Sequence, residues 1–69
     1  MKINNKTVGD YGYIAIYNNH QPVKVYAPSE KVAQNIAAKH FGIKKAYNVS
    51  VYLSEDTKGY QILTFVRGV

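Results

Sequence analysis

The chain has 69 residues, nine Lys and Arg against four Asp and Glu for a formal net charge of +5, and no cysteine. At this size a single small core is all that folding can supply, since only roughly 60% of the unfolded surface is buried. Disulfide frameworks and thiolate metal cages are excluded, and no apolar run approaches the roughly 18 residues that span a bilayer.

The opening MKINNKTVGD has no apolar stretch of the kind a signal peptide needs, so the expected location is the cytoplasm. Residues 1–10 read as an N-terminal arm or a short edge strand around Ile3 and Val8, with Asn4-Asn5 and Gly9-Asp10 as turn signals. A first strand is expected from Tyr11 to Asn18. Strand side chains alternate between faces, so Ile14 and Ile16 are assigned to the core phase and Tyr13, Ala15 and Tyr17 to the other. Asn18-Asn19-His20-Gln21 supplies a turn, Asn being tolerant of the left-handed region. Pro22 then opens a second strand at a position where its missing N–H does least harm. There Val23 and Val25 take the core phase, and Lys24 and Tyr26 the opposite one.

At Pro28-Ser29 the period changes from that of a strand to that of a helix. Ser29 is a good N-cap, Glu30 sits at the favourable end of the helix dipole, and Gly42 is a usual terminator after Lys39 and His40. On a helical wheel Val32, Ala33, Ile36, Ala37 and Phe41 share one half; Lys31, Gln34, Asn35, Ala38 and Lys39 share the other. A third strand is expected from Ala46 to Ser54, with Val49, Val51 and Leu53 inward and Tyr52 outward. After the loop Glu55-Asp56-Thr57-Lys58-Gly59, a fourth runs from Tyr60 to Arg67 and is apolar on both phases. The expected architecture over residues 11–69 is therefore a single α+β domain of ββαββ order. Its four-stranded, mainly antiparallel sheet carries one helix on one face.

No catalytic signature emerges. His20 lies in a turn. His40 projects from the apolar half of the helix, where covering the sheet edge explains it better than general-base work. Glu55 and Asp56 adjoin in an exposed loop rather than forming a separated acid/base pair. Convergent metal ligands and phosphate-cradling glycine motifs are lacking. The expectation is a protein with no enzymatic activity, no cofactor and no metal.

Two surfaces invite binding instead. Tyr13, Tyr17, Tyr26 and Tyr52 are expected to emerge together from the sheet face that the helix leaves bare, with Lys24 among them. Such rings serve cross-strand pairing, a protein interface including self-association, or stacking on single-stranded nucleic acid. The second surface is basic: Lys31 and Lys39 on the helix, and Lys44-Lys45 after it, suit a phosphate backbone. Eight of the nine cations are lysine, a hydrated point charge that binds phosphate with little base preference.

The stretch VYAPSEKVAQNIAAKHFGIKKAYNVSVYLSED resembles small proteins common in tailed-phage genomes. The shared pattern is Ala27-Pro28-Ser29, Ala33-Gln34, Ala37-Ala38, Phe41, Lys44-Lys45, and Val49, Val51 and Leu53 followed by Glu55. This sequence departs from it in its tyrosine count and in its apolar stretch from Gln61 to Val66. The resemblance transfers no functional residues. It implies an origin among proteins that bind host enzymes, defence complexes or nucleic acid, and a few anti-CRISPR inhibitors look similar in size and element order. The resulting expectation is a non-enzymatic, phage-type binding protein in the host cytoplasm, acting on a host nucleic-acid-handling complex or on DNA or RNA. The alternative is a self-associating structural or virion module, a homodimer included, that uses the tyrosine face and the fourth strand.

Overall fold

The computed structural model describes residues 1–62. Strand β1 spans Tyr11–Ile16, β2 Val23–Ala27, helix α1 Glu30–Phe41 and β3 Ser50–Glu55, with a 3-10 turn at Ala46–Asn48. The strands form an antiparallel sheet in the order β2-β1-β3. The class is α+β with one helix packed on the sheet, and three strands are seen among the described residues. The fourth strand expected from Tyr60 to Arg67 lies mostly outside them. Its first residues do turn back beside β3: Gln61 bridges Glu55, and the Ile62 N–H donates to the Ser54 carbonyl at 2.9 Å. No helix among the described residues is long and apolar enough to cross a membrane.

Register corrects the phase expected for β1. Ala15 pairs with Val23 and with Val51, and Tyr13 pairs with Val25 and with Leu53. Directly opposed residues share a face, so Tyr13 and Ala15 join the valines against the helix. Ile14 instead opposes Lys24 and Tyr52. Tyr13 is 7% exposed and Ala15 is fully buried, whereas Ile16 is 39% exposed. The cause is the parity of the β1–β2 connection. With Asn18 in the left-handed region at φ 46° and the His20 N–H donating to Tyr17, the chain returns with odd-numbered residues opposite odd-numbered ones. Slipping by one residue would carry every side chain of the strand to the other face.

Helix α1 begins where Ser29 Oγ accepts from the Val32 N–H at 3.3 Å. It ends at Gly42, whose φ of 76° lets Gly42 and Ile43 return N–H groups to the carbonyls of Lys39 and Ala38. Its buried residues are Ala33, Ala37 and Ala38. This rotates the expected face: Ala38 turns inward, Val32 is 37% exposed, and Gln34 reaches under the helix to donate to the Val49 carbonyl at 2.9 Å. That bond satisfies a carbonyl just before β3, at the point where the 3-10 turn displaces the first residues of the strand expected from Ala46. The core is correspondingly made of small residues, with Val25 and Val49 its largest fully buried side chains.

The N-terminal arm extends the sheet beyond β2. Lys2 bridges Lys24 in parallel, and the Ile3 N–H donates to the Lys24 carbonyl at 2.9 Å. Asn4 continues this edge with its side chain. Its Oδ1 accepts from the Tyr26 N–H and its Nδ2 donates to the Tyr26 carbonyl, both at 2.8 Å. An exposed strand edge is thereby closed by a primary amide acting as a surrogate peptide. Val8, by contrast, is exposed at the tip of a turn held by Asp10, whose carboxylate accepts from the Thr7 N–H and hydroxyl.

The inverted phase has a direct consequence for stability. Tyr13→Ala should cost about 3 kcal/mol or more, as truncation of a buried aromatic does, while Ile16→Ala should cost less than about 1 kcal/mol. Urea unfolding followed by circular dichroism measures both, and equal losses would contradict the register.

Candidate nucleic-acid interface

The four tyrosines expected on one face divide between the two. Tyr13 lies in the core, its phenol pKa raised by burial first and then by the nearby Glu30 carboxylate and Tyr11. Tyr17 packs on the helix side, its ring 5.7 Å from that of Phe41 and 5.5 Å from that of His20. Tyr26 and Tyr52 do emerge on the bare face, Tyr52 being 57% exposed. Their neighbours there are Ile14 and Ile16 rather than more tyrosines, so the expected aromatic platform is reduced to two rings flanking an aliphatic centre.

Lys24 shares this face, and its charge is engaged. Its ammonium pairs with the Glu55 carboxylate and lies 5.7 Å from the centroid of the Tyr26 ring. Alternation along β3 would have sent Glu55 towards the helix. A bulge intervenes: Tyr13 opposes Leu53, but Gly12 opposes Glu55, leaving Ser54 as the extra residue. One inserted residue re-aims the side chains beyond it, and Glu55 arrives on the bare face. Gly12 makes room for it. A Cβ added at Gly12 would meet Glu55 Cβ at 3.0 Å and its Cδ and Oε1 at 3.2 Å.

The histidines are aromatic packing partners. His20 folds over the end of α1, 5.1 Å from the Phe41 ring, which ties the β1–β2 turn to the helix. His40 is exposed rather than centred on the apolar half, with its ring edge-on to Phe41 at 5.3 Å. Among the described residues no group of three or more His, Cys, Asp or Glu is placed to hold a metal ion.

The lysines expected to form a basic surface belong to the helix and the segment after it, where Lys39 and Lys44 line one hollow. Lys31, Lys39, Lys44 and Lys45 are all exposed, and no acidic residue occurs anywhere from position 31 to position 54. The acids lie outside that stretch, and most are committed. Glu55 pairs with Lys24, Asp10 accepts from Thr7, and Asp56 accepts from the N–H groups of Lys58 and Tyr60 in its own loop. Glu30 adjoins Lys31 at the other end of the helix from Lys39. Asn35 and Lys39 follow Lys31 at spacings of four, which keeps them on one side of α1.

This side contains a shallow hollow of about 370 Å³, lined by Asn35, Ile36 and Lys39 of α1 and by Ile43, Lys44 and Ala46 after it. Tyr47, next in the chain to Ala46, is 72% exposed. Strand alternation does not lead to the hollow or to Tyr47: it runs the third strand back to Ala46, where the chain instead forms a 3-10 turn. The acid-free run is the sequence signal that points to this region.

The chain matches no protein-family model, no curated protein and no solved structure.

The Gly12–Glu55 contact is directly testable. Gly12→Ala should destabilise the fold by about 1–3 kcal/mol, as overpacking does. The loss should shrink in part when Glu55 is shortened to Ala, which removes the Cδ and Oε1 contacts and leaves the one at Cβ, a non-additivity measurable in a double-mutant cycle.

Proposed function

We propose that the protein is a non-enzymatic binding module that holds the phosphate backbone of nucleic acid through Lys31, Lys39, Lys44 and Lys45. One observation carries this reading: Lys31, Lys39, Lys44 and Lys45 are exposed within a stretch that holds no acidic residue from position 31 to position 54, while Glu55 neutralises Lys24 on the other face. Unopposed lysines displace condensed counterions from a polyanion, a gain that requires no base contact and fades with salt. A phage-encoded protein that attaches to a host nucleic-acid-handling complex would use the same surface. Recovery of a host partner after nuclease treatment would shift the reading to that protein target.

The test is a salt titration of binding to a labelled oligonucleotide, read by fluorescence anisotropy. With four lysines engaged, the logarithm of affinity should fall against that of salt with a slope of about −3 for a single strand. Lys44→Glu with Lys45→Glu should at least halve that slope and weaken binding by more than about tenfold at low salt. A double variant that keeps both affinity and slope removes the reading.

A second reading, self-association, is favoured by the bare sheet face. Ile14, Ile16, Tyr26 and Tyr52 there surround a charge pair of zero net charge. For a chain of charge +5 this is the face on which a second copy meets least repulsion. Light scattering should then report a dimer that Ile14→Lys converts to monomer; a wild-type monomer at the highest soluble concentration ends this reading.

A further inference from the structure

The hollow beside α1 differs from a plain patch of lysines in having apolar side chains among its lining. Ile36 and Ile43 line it together with the Asn35 amide and the chains of Lys39 and Lys44, and Tyr47 follows Ala46 in the 3-10 turn. A duplex presents a continuous phosphate surface and keeps its bases stacked inside, so it has no use for an apolar recess or for a free ring. A single strand has bases to spare: one can leave the solvent for an apolar recess while its flanking phosphates meet ammonium groups.

We propose that this hollow takes an unstacked base of single-stranded nucleic acid, with Tyr47 stacking the adjacent base. The proposal rests on the backbone-binding reading above and specifies its ligand. Lys39 and Lys44 neutralise the phosphates on either side of the seated base. Asn35 offers both a donor and an acceptor to the base edge, a pairing any base satisfies in part, which suits binding with weak sequence preference. Tyr47, 72% exposed, leaves most of its surface accessible to a ligand and contributes little packing to the fold.

The experiment compares a labelled oligothymidylate with a duplex of equal length by anisotropy, for the wild type, Tyr47→Ala and Tyr47→Phe, across a salt series. The single strand should bind more tightly than the duplex. Tyr47→Ala should lose about tenfold in affinity for the single strand, the scale of one stacked base, with the salt slope unchanged because no charge is removed. Tyr47→Phe should retain binding. Equal affinity for duplex and single strand, or wild-type binding by Tyr47→Ala, would overturn this proposal and leave backbone binding standing. Failure of the wild type to bind either probe at low salt would overturn both.

Discussion

Helix α1 meets the sheet through Ala33, Ala37 and Ala38, and the sheet answers with Ala15 and Ala27 among its valines. Alanine reaches only as far as Cβ, so a helix with this contact face is held only by lying close to the strands. An isoleucine beneath it on the central strand would hold it off and open voids on either side, and voids forfeit the contacts that stabilise a core. The β1 phase that presents Ala15 is compatible with the close approach; the one that presents Ile14 and Ile16 is not. Tyr13 then fills the space beside Ala15, its phenol pKa raised by burial first and then by the Glu30 carboxylate near it.

From that choice of phase follows the character of both surfaces. Isoleucines turn outward to make a bare face that is aliphatic at its centre, with Tyr26 and Tyr52 flanking them. The pair of Lys24 and Glu55 crosses this face above Gly12, so its charges cancel. The bulge at Ser54 matters here because it delivers an acid to a face that simple alternation would have left with an unopposed lysine. Lys31, Lys39, Lys44 and Lys45 stay exposed outside that pair, so the bare sheet face is neutral at its centre and partly apolar while the helix and the segment after it carry lysines.

The molecule also manages its open ends locally. Asn4 closes the edge of β2 with a side-chain amide. Lys6 reaches across to the Thr57 carbonyl at 2.6 Å and joins the arm to the loop after β3. His20 and Tyr17 fold onto Phe41 and anchor the β1–β2 turn to the end of α1. In so small a chain these contacts take the place of a larger core, and they occupy both histidine-bearing regions with packing.

Sequence alone determined what depends on neighbours along the chain. Ser29 and Gly42 bound the helix because capping is settled within four residues, and the valines of β2 and β3 face inward because their own alternation is unambiguous. The net charge and the acid-free run were equally legible, being sums over residue types. Tertiary structure decided which side of β1 faces the helix, since both of its phases carry apolar residues and only register with distant strands distinguishes them. It also decided that Glu55 crosses to neutralise Lys24, because a one-residue bulge reverses the face and leaves no periodic trace. The hollow beside α1 belongs to the same class: it exists only where the helix and the segment after it come together in space.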